Sequence, residues 1–533
     1  MTQRKTQTAA YWQNQFTIGP AESEAIQNLI LEANRPLTVD EIALALVRQQ
    51  VEAEEKAVRT SLDQGQLYRP QNRYEVGEKL LFPALSFAVG RVEYTRQGYH
   101  PEYGQFTVLG VKLENNGEVR EFAAEFPRPE ALEVGADETM AALQGLQTPE
   151  ELFQQYGDAI RQTVTRALNS QPEFVEFHDQ YFLRDLLVEV HEGLFNIADA
   201  AIDINQGPLP VDELVRQMDL LENGQITDLV RFSVNYRLAN DDRFVDVGPK
   251  GQVLWYLRRL EPAEAEKTPP RLRVNHSLTY TAEDFDEETR AIIAEIDDET
   301  SNPEDIPATP PDTDTVTTVL TYPHWRVGTL PLTPRTLPFF PISYYNPVLF
   351  EFVDGRTGET FPGWSVYNSR YVFGLADWYQ KHKLPAGAFI ILKRTDDPLR
   401  VIVDYKPTRT RRDWIRLVGV DGSLLTFQIN THPMNCEYDD LMIIGDPNPQ
   451  AVDPLWEAAN KARLPLFDLL CQIFPELIKL NPQGTVHLKT VYSAVNVLRR
   501  FSPGVVLNEL RQHACFIPLD HGYWTFDANL KDE

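Results

Sequence analysis

The sequence predicts an α+β chain of several domains, and three observations carry that reading. The first is size. A chain of 533 residues exceeds what one hydrophobic core covers, so roughly three to five domains are expected. The second is periodicity: stretches with helical spacing and short alternating runs succeed one another along the chain. The third is charge. The formal net charge is −28, yet it is unevenly spread. Thr281–Thr315 holds thirteen Asp and Glu against Arg290 alone, whereas Val319–Arg416 carries fourteen Lys and Arg against eight Asp and Glu. A basic module is therefore embedded in an acidic protein.

Composition removes several function classes. Hydrophobic residues make up 42%, ordinary for a globular protein, and no run approaches the ~18 apolar residues of a membrane span. The stretch MTQRKTQTAAYWQNQF has no apolar core of signal-peptide type, so a cytoplasmic location is expected, nucleoid-associated if the chain binds DNA. Three cysteines (Cys436, Cys471, Cys515) without a CxxC pair argue against a disulfide scaffold and a structural zinc. The phosphate-loop, dinucleotide, HExxH and GxSxG patterns are missing. Asp404-Tyr405-Lys406 is the nearest approach to a nuclease constellation and lacks an upstream acidic partner. No enzymatic activity, cofactor or metal is expected.

The elements read as follows. Residues 1–18 read as a disordered or loosely docked tail. Within 19–78, Ala21–Ala33 has helical spacing, Arg35-Pro36-Leu37-Thr38 turns, a second helix opens at Val39 and a third is expected over Glu52–Gln64. Gln66–Val76 then alternates as a hairpin. Three helices and a hairpin make the winged-helix plan. LTVDEIA from Leu37 resembles the opening of helix two in winged-helix modules of the HARE-HTH type, related to the amino-terminal domain of the bacterial RNA polymerase delta subunit. Residues 79–127 are Gly-punctuated, with alternating runs at Ala88–Tyr94, Phe106–Leu113 and Val119–Phe122, which predict a small antiparallel β-barrel. A helical connector follows over 128–177.

Residues 178–262 predict a second winged helix: a long helix over Tyr181–Ile202, a helix opening at LPVDELV from Leu209, and a third over Ile226–Leu238. The wing is DDRFVDVGPKGQVLWYLRRL, similar to the HARE-HTH wing. The echo between LTVDEIA and LPVDELV supports two related modules. Residues 263–315, rich in Pro and acid, read as a linker unable to bury enough apolar surface.

The basic module spans 316–446. Its run FPGWSVYNSRYVFGLADWYQKHKLPAGAFIILKR starts at Phe361 and gathers Trp364, Tyr367, Tyr371, Trp378 and Tyr379. A strand ends in an aromatic-Asn-Ser turn, and a hydrophobic strand and a short Trp-bearing helix follow. A Leu-x-x-Gly turn then leads to a strand ending in basic residues. This order resembles the second half of a plant B3-type DNA-binding pseudobarrel, whose bacterial relatives are effector domains of some restriction endonucleases. The resemblance implies binding of double-stranded DNA through two arms in the major groove. The first arm, Tyr322–Thr336, offers Arg326, Thr329 and Arg335, although it is richer in Pro and poorer in basic residues than the plant pattern. The second, Trp364–Arg370, offers Ser365, Tyr367, Asn368, Ser369 and Arg370. Arg can bridge guanine O6 and N7 and Asn can pair with adenine, while Ser and Tyr suit phosphates. Lys393, Arg394, Arg409, Arg411 and Arg412, with Arg400, Lys406 and Arg416, would neutralise backbone charge. Trp364, Trp378, Tyr379 and Trp414 read as packing.

Residues 447–533 predict a third winged-helix-like domain, with helices Leu466–Leu480, His487–Phe501 and Val505–His513 and a closing hairpin. Auxiliary DNA contacts are expected at Arg73, Arg231, Asn235, Arg243, Lys250, Arg499 and Arg500. The expected function is that of a non-enzymatic, transcription- or chromosome-associated protein that binds duplex DNA. The alternatives are a protein-interaction scaffold docked on RNA polymerase, and the DNA-targeting subunit of a restriction or defence system.

Overall fold

A computed structural model describes residues 4–531 except 64–65, 83–84, 86–87, 115–116, 128–145, 275–279, 282–284 and 311. The fold is mixed α+β. The chain divides into two units, residues 1–197 with 215–240, and residues 198–214 with 241–533.

In the first unit, Pro20 opens helix α1 (Pro20–Ala33), where its missing N–H costs nothing, and the Glu22 carboxylate accepts from the Gly19 N–H at 3.0 Å. After strand β1 (Leu37–Thr38), helix α2 runs unbroken over Val39–Asp63. The break expected near Glu52 does not occur, because no Gly or Pro interrupts Val39–Asp63. The loose tail is also corrected. Trp12 is buried and donates from Nε1 to the Thr6 carbonyl at 2.7 Å, and the Thr6 N–H donates to Glu54 on α2 at 3.2 Å.

The hairpin expected at Gln66–Val76 is replaced by the start of a five-stranded sheet. Its strands are β2 (Gln66–Leu67), β3 (Lys79–Phe82), β4 (Ala88–His100), β5 (Gly104–Leu113) and β6 (Val119–Ala124), paired in that order. The sheet curls: the Phe126 N–H donates to the Pro70 carbonyl at 3.0 Å and the Tyr68 hydroxyl to the Ala123 carbonyl at 2.6 Å, around a core that includes Tyr74, Phe82 and Leu109. Helix α3 (Pro149–Asn169) follows, capped by Thr148, and then strands β7 (Phe174–Phe177) and β8 (Gln180–Leu183). The β7–β8 turn, His178-Asp179, has both residues at positive φ, as a tight two-residue hairpin turn requires. Strand β1 pairs with β8, Leu37 opposite Tyr181. Thus α1, β1, α2, α3 and the β7–β8 hairpin form one helix–strand–helix–helix–hairpin unit, with the curled sheet inserted between its second and third helices. The first part of the expected connector, 128–145, lies outside the described residues.

The long helix expected over Tyr181–Ile202 begins only at Glu192, since Tyr181–Leu183 belongs to β8. The next elements are α4 (Glu192–Asn205), strand β9 (Leu209–Pro210), α5 (Val211–Gln217) and α6 (Asp228–Ala239). They repeat the helix–strand–helix–helix order. Strands β10 (Phe244–Asp246) and β11 (Leu254–Leu257) complete a sheet in the order β10-β11-β9.

In the second unit, the presumed acidic linker is built into the interior. Helix α7 (Glu287–Ile296) is capped by Asp286, and beyond it Asp297, Asp298 and Glu299 are all buried. The basic module is a seven-stranded open sheet with the order β12-β17-β18-β14-β15-β16-β13. Its elements in chain order are β12 (Thr315–Val319), α8 (Tyr322–Val327), β13 (Thr329–Pro331), β14 (Val348–Asp354), β15 (Thr360–Val366), β16 (Tyr371–Phe373), α9 (Ala376–His382), β17 (Phe389–Arg394) and β18 (Arg400–Tyr405). The β14–β18 pairing is parallel and the others are antiparallel. Phe350, Phe352, Trp378, Tyr379, Ile390 and Val403 fill the inside. Trp364 packs instead with Val245, Val247 and Leu254 of the β10–β11 hairpin.

Beyond β18 the chain forms a long two-stranded ribbon, β19 (Pro407–Asp421) and β20 (Leu424–Cys436). Then come α10 (Pro449–Lys461), α11 (Leu466–Ile478), strand β21 (Val486–His487), α12 (Leu488–Leu498), α13 (Pro503–Gln512), β22 (Phe516–Pro518) and β23 (Tyr523–Phe526), the last sheet ordered β21-β23-β22. Their core is continuous with Tyr322, Val418, Phe427 and Ile444 of the preceding module.

Candidate nucleic-acid interface

The expected arms are largely folded inward. Thr329 is fully buried, its hydroxyl hydrogen-bonded to His324 Nδ1 at 2.7 Å. Arg326 Nη2 donates to Asp453 at 2.6 Å, and Arg335 Nη2 donates to the Thr317 carbonyl at 3.0 Å. In the second arm Ser365 is buried, its hydroxyl without a partner among the described residues. Tyr367 stacks edge-on against Tyr344 at 5.1 Å, and the Ser369 hydroxyl lies 2.8 Å from that of Thr268. Asn368 and Arg370 remain exposed. Asn368 Nδ2 donates to the Tyr344 carbonyl at 3.4 Å, and Arg370, in the left-handed region at φ 56°, donates to the Glu299 carbonyl at 3.0 Å. Thr329 and Ser365 cannot meet a duplex, because no surface of either reaches solvent to any useful extent.

The auxiliary positions fare similarly. Every residue of α12 is buried, and Arg499 and Arg500 beyond it are buried too. Arg500 sits in a knot of charge. Its Nη1 lies 2.7 Å from Asp298 and its Nη2 2.8 Å from Glu299. The other Glu299 oxygen meets His324 Nε2 at 2.9 Å. Burial alone would raise the Glu299 pKa, but Arg500 and then His324 hold it well below the usual carboxylate range. Asn235 is buried, Arg231 pairs with Asp228 at 2.9 Å and Arg243 with Asp241 at 2.7 Å. Lys250 is exposed, but the hairpin tip that carries it docks on the sheet module: its N–H donates to the Ile342 carbonyl at 2.9 Å and its ammonium lies 5.4 Å from the Tyr344 ring. Arg73 is exposed.

What remains accessible is the ribbon. Lys393 is tied to Asp404 at 3.3 Å and Arg394 stacks over Phe339, whereas Arg409, Arg411 and Arg412 are exposed on β19. Arg411 pairs with Asp413 at 2.8 Å. Arg409 and Arg412 have no carboxylate partner among the described residues, and Arg412 donates to the Thr431 hydroxyl at 3.2 Å. Period-2 geometry explains the sorting. Ile415 and Leu417 face the sheet core, and Trp414, one residue before Ile415, falls on the other face, opposite Thr431. Trp414 is consequently 71% exposed, correcting its reading as a packing residue. Arg412 and Trp414 share one face about 6.8 Å apart, with Ile429 (46% exposed) and Pro433 across the ribbon. Gln428 and Asn430, paired with Leu417 and Ile415, place exposed amides on the opposite face. Arg416, farther along, is lost to the surface: burial pulls its guanidinium down to about 10, and it donates to the Ile443 carbonyl at 3.0 Å.

Sequence reasoning missed Trp414, Gln428, Ile429 and Asn430. The signal was present in β19, where Arg412, Trp414 and Arg416 alternate with Ile415 and Leu417. Among the described residues, no cluster of His, Cys, Asp and Glu is placed to hold a metal ion, and no helix is long and apolar enough to cross a membrane. The chain matches no protein-family model, and no curated protein or solved structure is significantly similar to it.

Proposed function

We propose that this is a non-enzymatic protein that binds double-stranded DNA through the β19–β20 ribbon. The observation that carries the reading is an exposed two-stranded ribbon bearing Arg409, Arg411, Arg412 and an outward Trp414, in the one basic segment of an acidic chain. A ribbon of this width enters the major groove, where guanidinium groups reach phosphates or guanine edges and an aromatic ring meets bases. Asn368 and Arg370 supply further polar contacts from the same module.

The seven-stranded open sheet with its two short helices, α8 and α9, is assigned as a B3-like pseudobarrel. Support comes from the run Phe361–Arg394, in which strand, aromatic-Asn-Ser turn, strand, Trp-bearing helix and Leu-x-x-Gly turn follow one another as the resemblance requires. The three helix–strand–helix–helix–hairpin segments, each with its first short strand paired to the last, are assigned as winged helices. Burial of α12 and docking of the β10–β11 hairpin suit bracing roles for two of them. The acidic remainder repels phosphates at long range, so binding is local and strongly salt-dependent. The test is anisotropy of a random duplex at low salt. Binding by the wild type that is lost on replacing Arg409, Arg411 and Arg412 by Ala supports the assignment, and equal binding by both proteins refutes it.

A further inference from the structure

Beside the ribbon lies a cleft of about 360 Å³, within the size range of small-ligand sites. Helix α8 contributes Trp325 and Arg326, helix α9 and its C-terminal turn contribute Gln380 and Lys383, and β20 contributes His432. Apolar walls and a few convergent polar groups suit a ligand with a planar body and an anionic end. We propose that this cleft holds a single nucleotide, its phosphate on Lys383 and Arg326 and its base against Trp325.

Three observations support the assignment. Arg326 has a buried Nε with no hydrogen-bond partner among the described residues, although its Nη2 is held by Asp453. An unsatisfied guanidinium N–H is costly to bury, and the residue that carries it lines the cleft, where its guanidinium offers charge to an anion. Lys383 occupies the left-handed position that ends α9, at φ 55°, where Gly or Asn is usual. Its ammonium has no carboxylate partner among the described residues. The one acid in the lining, Asp446, accepts the Tyr322 hydroxyl at 2.6 Å, so one of its oxygens is already engaged.

The inference rests on the nucleic-acid reading of the ribbon, because His432 carries the ribbon's inner face into the cleft. The nucleotide could be an unpaired residue of a bound strand or a free nucleotide, and the assay separates the two. Deoxynucleoside 5′-monophosphates are titrated by calorimetry into the wild type, Lys383→Gly and the Arg409/Arg411/Arg412→Ala protein. A duplex with one unpaired nucleotide and its fully paired counterpart are titrated in parallel.

Lys383→Gly removes the cation while easing the backbone, so lost binding cannot be blamed on misfolding. The proposal expects Lys383→Gly to weaken a mononucleotide, or the duplex with the unpaired nucleotide, about tenfold or more, and to leave the fully paired duplex unchanged. A free nucleotide as ligand gives the first result, a strand nucleotide the second. If Lys383→Gly binds every probe as the wild type does, the cleft assignment is overturned while the ribbon reading stands. If the ribbon variant keeps full duplex affinity, the ribbon reading fails whatever the cleft does.

Discussion

Replacing Arg500 by Met should strongly destabilise the second unit. The guanidinium is 1% exposed and meets Asp298 (0% exposed) at 2.7 Å and Glu299 (6% exposed) at 2.8 Å. It also donates to the Tyr492 hydroxyl at 3.0 Å and to Asn496 Oδ1 at 3.1 Å. Met fills most of the volume but leaves two carboxylates buried with a reduced counter-charge. Glu299 keeps His324 and Asp298 keeps Tyr492, so neither is wholly abandoned. Breaking a buried ion pair from one side costs about 3–5 kcal/mol, and the middle of that range is expected here. At roughly 1.5 °C per kcal/mol for a unit of this size, the transition should fall by about 5–7 °C. Thermal unfolding followed by near-ultraviolet circular dichroism reads this directly. The triple change Arg500→Met, Asp298→Leu, Glu299→Met should regain most of the loss, since removing all the charges together removes the orphaned ones. A shift below about 2 °C for Arg500→Met would mean that the guanidinium is solvated, and the buried charge knot would be wrong.

Two further outcomes follow from local chemistry. His487 caps α12 by accepting the Lys489 N–H on Nδ1 at 3.1 Å, and burial followed by the Lys489 charge lowers its pKa. A folded pKa below the unfolded value near 6.5 means that the unfolded chain takes the proton more readily. Stability contributed by neutral His487 is therefore present above about pH 6.5 and is lost as pH falls below it. His487→Asn keeps a capping acceptor and should flatten the fall of the melting temperature between about pH 7.5 and 5.5, and an unchanged slope would count against the cap. Gly387, at φ 100°, ends the Leu384-Pro385-Ala386-Gly387 turn, and a Cβ there would lie 2.6 Å from the Ile443 Cα. Gly387→Ala should destabilise by about 2–4 kcal/mol, from strain plus overlap, measured by urea denaturation. A loss under about 0.5 kcal/mol, the scale of neutral surface changes, would show that the turn adopts another conformation.

Local signals were legible in the sequence, and non-local ones were not. The order of elements from β15 through α9 to β17 follows from alternation, a short amphipathic helix and turn residues within one stretch of chain. The three helices expected at 466–480, 487–501 and 505–513 fall within three residues of α11, α12 and α13, whereas α10 was unforeseen. By contrast, the pairing of Leu37 with Tyr181 closes over the whole curled sheet, and nothing near either residue announces it. The acidic segment misled for a related reason. Asp297–Glu299 read as solvated because their partners, Arg335, His324 and Arg500, are distant in sequence. Composition registers the carboxylates but cannot register the partners that fold around them. The cations failed in the opposite sense. Arg335, Arg499 and Arg500 looked available for phosphate, whereas the fold spends them on carboxylates, carbonyls and ring faces.

We propose the β19–β20 ribbon as the DNA-contacting element. The most direct measurement is the salt dependence of duplex affinity for the wild type and for Arg409/Arg411/Arg412→Ala. Each phosphate contact adds about 0.9 to the slope of log affinity against log salt, so removal of three should reduce the slope by about 2.7 and weaken binding most at low salt. An unchanged slope, with duplex affinity intact, would contradict the account.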